Sequence, residues 1–146
     1  MYGPHTQWVN AQLWAKDNTP KDTRFITPPH IYGNYISDWR VFSERPVVVT
    51  LAELQEVPFY PEYLPDWEKR FEAVAPGAIK RFDYNYFTSR VYTAEAFYSL
   101  TSKELIDVSR EYHAPYLVIE KPHLQDFPIA YENAEYVIYD LREYSE

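Results

Sequence analysis

His30, Arg40 and Arg45 are the residues whose types and placing most readily suggest chemistry. They stand in TRFITPPHIYGNYISDWRVFSERPVVVT, residues 23–50. There one apolar run, Phe25-Ile26-Thr27, stops at Pro28-Pro29, and a second, Val47-Val48-Val49, begins just past Arg45. A guanidinium is a planar fork matched to carboxylate or phosphate. A histidine changes charge near neutral pH. A nucleotide site, a catalytic loop and a structural corner are all consistent with such a stretch. Pro28, Pro29, His30, Trp39, Arg40 and Arg45 are therefore candidate ligand or interface residues. They would crowd the carboxyl edge of the first strand, where open α/β sheets bind ligands. The plainer alternative has Arg45 paired with a local acid such as Asp66.

Other chemistries lack their residues. The three glycines, Gly3, Gly33 and Gly77, are too scattered for GxGxxG or a Walker loop, which removes the main support for a nucleotide site. His5, His30, His113 and His123 show neither HxH nor HExxH spacing and read as isolated. With no cysteine there is no disulfide, thiolate site or cysteine nucleophile. No GxSxG elbow is present. Glu53/Glu56 and Glu68/Glu72, with Lys69 and Arg70 interleaved, read as solvated helix faces. Glu120-Lys121 closes an apolar strand at the ligand-binding end of a parallel sheet, although such a charge pair is more often structural. No cofactor and no metal is expected.

Length and composition set the frame. A chain of 146 residues fits one domain, taken as residues 1–146. Hydrophobic residues at 46% give it a core. The 15 tyrosines suit a half-buried rim or a sugar-facing surface. Lys+Arg 14 against Asp+Glu 22 gives 14 − 22 = −8, which argues against nucleic acid and against a polybasic membrane-surface binder. Met1-Tyr2-Gly3-Pro4-His5 is not a signal-peptide start. No segment has the roughly 20 apolar residues of a span. The chain as given reads as soluble. A Met followed at once by helix is also how an excised domain begins.

These residues need elements to position them. Residues 6–17 read as a helix apolar over a wide arc, with Val9 and Leu13 on one stripe, Trp8, Ala11 and Ala15 beside it, and Trp14 apart. Thr23–Thr27 is a strand that Pro28 stops. A short helix over 36–44 and a central strand at Val47–Thr50 follow, then a turn of helix at 51–56. Asp66 N-caps a helix bearing Trp67 and Phe71, closed by Pro76-Gly77. Residues 80–98, with Phe82, Tyr84 and Tyr86 alternating, read as an irregular aromatic loop. Thr101 to Glu104 is a capping box opening a helix with Leu105, Val108 and Tyr112. Tyr116–Ile119 is a strand, and 129–131 with 136–139 form a hairpin. The alternation predicts an α/β fold: a small three-layer, mainly parallel, Rossmann-like sheet ending in an antiparallel hairpin.

WAKDNTPKDTRFITPP (14–29), DWRVFSERPVVV (38–49), PDWEKRF (65–71), APYLVIEK (114–121) and IAYENAEYVIYDL (129–141) occur in an order that resembles one known family. It is the soluble C-terminal domain of polytopic bacterial membrane proteins, whose multi-span portion is like that of lipid-linked-sugar (GT-C-type) glycosyltransferases. The matching features are Asn18-Thr19-Pro20, Pro28-Pro29, Trp39-Arg40 and Ser43-x-Arg45, with a gap at 75–113. The resemblance implies a domain of unknown function, excised from its parent and placed on the extracytoplasmic face. Its partner would be the membrane-embedded portion of the same polypeptide, which would hold any catalytic groups.

Three functional readings result. The first is a non-catalytic accessory domain that packs on that portion or guides ligands to it. The second is a soluble carbohydrate- or small-molecule-binding module, suggested by the aromatic load and the stretch from Tyr84 to Tyr98. An enzyme using Arg45 and a nearby carboxylate ranks third.

Overall fold

The computed structural model describes residues 6–31, 38–56, 59–83 and 85–144, with residues 55 and 56 described in backbone only. Helix α1 (Thr6–Asn18) leads into strand β1 (Phe25–Ile26) and the short α2 (Trp39–Ser43). Two 3-10 turns, Ala52–Glu56 and Pro61–Tyr63, precede α3 (Leu64–Val74), α4 (Ala78–Arg81), α5 (Tyr86–Tyr98) and α6 (Ser102–Tyr112). Strands β2 (Tyr116–Glu120), β3 (Ile129–Glu132) and β4 (Tyr136–Asp140) end the fold. Among the described residues no helix is long and apolar enough to cross a membrane.

The four strands lie in the order β1-β2-β4-β3. Only β1 and β2 run parallel, with Phe25 opposite Tyr116 and Ile26 opposite Leu117, while β4 is antiparallel to both neighbours. The sheet is therefore mixed rather than mainly parallel. One long crossover, through α2 to α6, separates β1 from β2. The connection over residues 121–128 then sets β3 in the same direction as β2 but one place further out, and β4 returns between them, antiparallel to both. The predicted C-terminal hairpin forms, and the Asn133 side chain accepts the backbone N–H groups of Glu135 and Tyr136 in its turn.

Val47–Thr50 does not add a central strand. Val47 makes a single parallel bridge to Phe25, with Phe25 N–H on the Pro46 carbonyl and Val48 N–H on that of Phe25. Pro46 has no N–H to extend the ladder. The next carbonyls go to side chains of α3: Arg70 Nη1 donates to Val48 O at 3.3 Å and Trp67 Nε1 to Thr50 O at 2.9 Å. The segment is nonetheless buried, as its composition requires.

Side-chain alternation buries both faces of the sheet. On one face Phe25, Tyr116, Val118, Tyr136 and Ile138 pack with Trp8, Ala11 and Ala15 of α1 and Trp39 of α2. On the other, Ile26, Leu117, Ile119, Val137 and Tyr139 pack with residues of α3, α5 and α6, among them Trp67, Phe71, Phe97 and Leu105. The buried stripe of α1 is Trp8, Ala11, Gln12 and Ala15, so Leu13 faces outward, and Trp14 stacks on Tyr131 with ring centroids 5.6 Å apart. Trp67 and Phe71 stack at 4.7 Å as their spacing predicts. Helix α3 starts two residues before Asp66, which pairs with Arg70 rather than capping. The capping box forms in full, Thr101 accepting from Glu104 N and Glu104 from Thr101 N.

The largest departure is at 80–98, where helix replaces the expected loop. Asn85 N-caps α5 by accepting the Phe87 N–H at 2.8 Å. The buried stripe of α5 is Ser89, Thr93 and Phe97. Two of the three are polar, so no hydrophobic period is visible in the sequence. Tyr84, one of the three alternating aromatics, lies outside the described residues.

Candidate functional site

Strands β1 and β2 run parallel, so their carboxyl ends lie on the same edge of the sheet. After β1 the chain turns through Pro28-Pro29, both buried, with Ile31 N–H on Pro28 O and Leu51 N–H on Pro29 O. This corner delivers His30 to the end of β2, where Glu120 is the last strand residue. His30 Nε2 lies 3.0 Å from Glu120 Oε1. The Tyr98 hydroxyl, from the last residue of α5, donates to the same oxygen at 2.8 Å. Arg90, two turns earlier in α5, donates from Nε to the His30 carbonyl at 3.1 Å. The His123 ring lies parallel to the Tyr98 ring, with centroids 3.7 Å apart. The His30 ring meets Tyr98 nearly edge-on at 5.7 Å.

The electrostatics assign the protons. Burial would raise the Glu120 carboxyl, but the His30 hydrogen bond and charge, the Tyr98 hydroxyl and the nearby His123 outweigh it and hold it below the usual glutamate range. Glu120 is thus ionised and can only accept. The His30 proton toward it must be on Nε2. Burial, with Glu120 close by, pushes the Tyr98 phenol far above its ordinary range, so it remains a donor. Tyr136 on β4 is raised in the same way, first by burial and then by Glu120. His30 Nδ1 is buried and has no hydrogen-bond partner among the described residues. The pieces form a carboxylate–imidazole pair steadied by a phenol, able to accept hydrogen bonds from a bound molecule.

The other sequence candidates lie elsewhere. Trp39 is 1% exposed and packs between Trp8 and Phe25, each 5.2 Å away by ring centroids, on the α1 side of the sheet. Arg45, 7% exposed, donates from Nε to Thr19 Oγ1, from Nη1 to Ser43 O and Glu44 O, and from Nη2 to Lys16 O and Thr19 O. Its partners are all neutral oxygens and no acid. A cation there satisfies the orphan carbonyls at the end of α1. Arg40 pairs with Asp38, the N-cap of α2, at 2.8 Å, and reaches Glu53 at 3.5 Å. Burial would raise Asp38, but the bonds from Arg40 hold it below the usual range.

Glu53 is not the solvated residue its spacing suggested. It is 7% exposed and accepts from Thr50 N and from Tyr63 OH. With Tyr60, Glu62, Tyr63 and Asp66 it lines a cleft of about 430 Å³. Two of those carboxylates are already engaged, Glu53 by Arg40 and Asp66 by Arg70. The side chain of Glu56 lies outside the described residues. Among the described residues no three His, Cys, Asp or Glu side chains are grouped to hold a metal ion.

Of the sequence candidates, then, Pro28, Pro29 and His30 share one site, and it gains Tyr98, Glu120 and His123. Glu120 was marked by its place at a strand end. Tyr98 was hidden by the unread helix, and His123 by its distance along the chain from His30.

Residues 6–74 match a family described as "Domain of unknown function (DUF6798)". The match runs from the start of α1 to the end of α3, a little under half of the chain. No curated protein and no solved structure matches the chain.

Proposed function

We propose that this chain is a non-catalytic accessory domain of a multi-span, glycosyltransferase-like membrane protein, carried on the extracytoplasmic face of a bacterial membrane. Its own task is to hold a carbohydrate or other small polar molecule at the carboxyl ends of β1 and β2. The observation that carries the binding role is the ionised Glu120, fixed by donors from two other elements at a strand-end edge. The membrane setting is supported by the collinear motifs from residue 14 to residue 141. The likeness of residues 6–74 to a domain of unknown function is compatible with that setting. Cover on both faces of the sheet supports a three-layer, Rossmann-like kinship, despite the mixed strand directions.

Two measurements test this reading. Sequencing the encoding gene is expected to show a hydrophobic, many-span region continuous with residue 1; a gene bounded at these 146 residues would overturn the membrane setting. Amide chemical-shift mapping of the chain against small polar molecules tests the binding role. Shifts gathered at residues 30, 98 and 120–123 are expected, and unresponsive amides there would end it.

A further inference from the structure

We propose that the ligand of the strand-end site is a neutral polyhydroxyl molecule, a sugar ring, with Oε2 of Glu120 as the acceptor for its hydroxyls. This rests on reading the cluster as a binding site. Both donors that reach Glu120, His30 Nε2 and Tyr98 OH, fall on Oε1. No donor among the described residues occupies Oε2. The Glu120 side chain is 33% exposed, so solvent and a ligand can reach it. A carboxylate with one oxygen held and the other open is a fixed acceptor, and hydrogen bonds to a charged acceptor are the stronger kind.

The surroundings decide the ligand class. At the centre Glu120 Oε2 offers an acceptor, and the stacked Tyr98 and His123 rings offer an aromatic surface. Lys121 Nζ pairs with Glu132 at 2.6 Å, and Arg90 directs Nε to the His30 carbonyl. A phosphate or carboxylate would be brought against the Glu120 charge in a partly buried place, which is unfavourable. A sugar instead brings hydroxyl donors to the open oxygen and C–H faces to the aromatic rings.

The test uses the full 146-residue chain with glucose, glucose 6-phosphate and inorganic phosphate as probes, read by amide chemical shifts. Glucose is expected to shift residues 30, 98 and 120–123 at millimolar concentrations, with the two phosphates weaker there. Glu120→Gln should weaken glucose binding about tenfold, the loss expected for one charge-assisted hydrogen bond. The wild-type mapping stands whether or not that variant folds. Equal or tighter binding of either phosphate at these residues would overturn the ligand class while leaving the site. Silence at these residues with all three probes would overturn the site and the proposal together.

Discussion

His30 Nε2 and Glu120 Oε1 lie 3.0 Å apart although the residues are 90 positions apart in sequence. The contact joins the corner after β1 to the last residue of β2. Because Tyr98 donates to the same oxygen, it also ties α5 to that edge. Three elements thus meet on one carboxylate oxygen. The geometry follows from the single parallel pair in the sheet: had β1 and β2 been antiparallel, Pro28 and Glu120 would lie at opposite ends.

Glu120→Gln should lower stability at neutral pH by about 1 to 2 kcal/mol, the worth of hydrogen bonds to a charged acceptor at a partly exposed place. The sign of the pH dependence is fixed by the direction of the shift. Glu120 titrates lower folded than unfolded, so its stabilisation is fully present above the ordinary glutamate value of about 4.3 and is lost as pH falls through the folded value. Urea unfolding of both forms from neutral to acid pH should show their difference shrinking toward zero below that range. A gap constant down to the lowest pH would mean the charge plays no part.

Arg45→Met should cost about 3 kcal/mol, because it leaves several buried oxygens at the end of α1 without donors. Arg45→Lys should fall between, since an ammonium cannot span the set the guanidinium fork reaches. Thermal melts rank the three forms. A lysine variant as stable as the parent would show that only the charge is needed. Neither change should alter sugar-induced shifts at residues 30, 98 and 120–123, since Arg45 binds the end of α1 and not the strand-end cluster.

How far the fold could be read in the sequence depended on whether each signal was local. The capping box at Thr101, the stacked pair Trp67 and Phe71, and the hairpin about Asn133 are fixed by neighbours within a few positions, and all were legible. Val47–Thr50 carried every mark of a central strand. Its ladder was denied by Pro46 and by two side chains of α3 that took its carbonyls. Arg45 could be seen as a cation in need of acceptors, but carbonyls 26 and 29 positions back are invisible without the fold. The site divided in the same way. His30 and Glu120 were each placed at a strand end, yet their meeting depends on the parallel register. Tyr98 enters only once α5 exists.

Helix α5 supplies the last prediction, because nothing in its hydrophobic pattern announces it. Thr93 is fully buried, and its hydroxyl donates to Ser89 O at 2.8 Å within the same helix. Thr93→Val keeps the shape and removes only a bond the helix itself satisfies, so it should change stability by less than about 1 kcal/mol. Asn85→Ala removes the side-chain oxygen that accepts the Phe87 N–H and should cost about 1 kcal/mol. Ala94→Pro removes a helical hydrogen bond and clashes with the preceding turn, at about 3 kcal/mol or more. It should also draw Tyr98 away from Glu120, changing the amide shifts of residues 120–123 along with the melting temperature. If residues 86–98 were irregular after all, proline at 94 would be tolerated and the strand-end shifts would stay where they are.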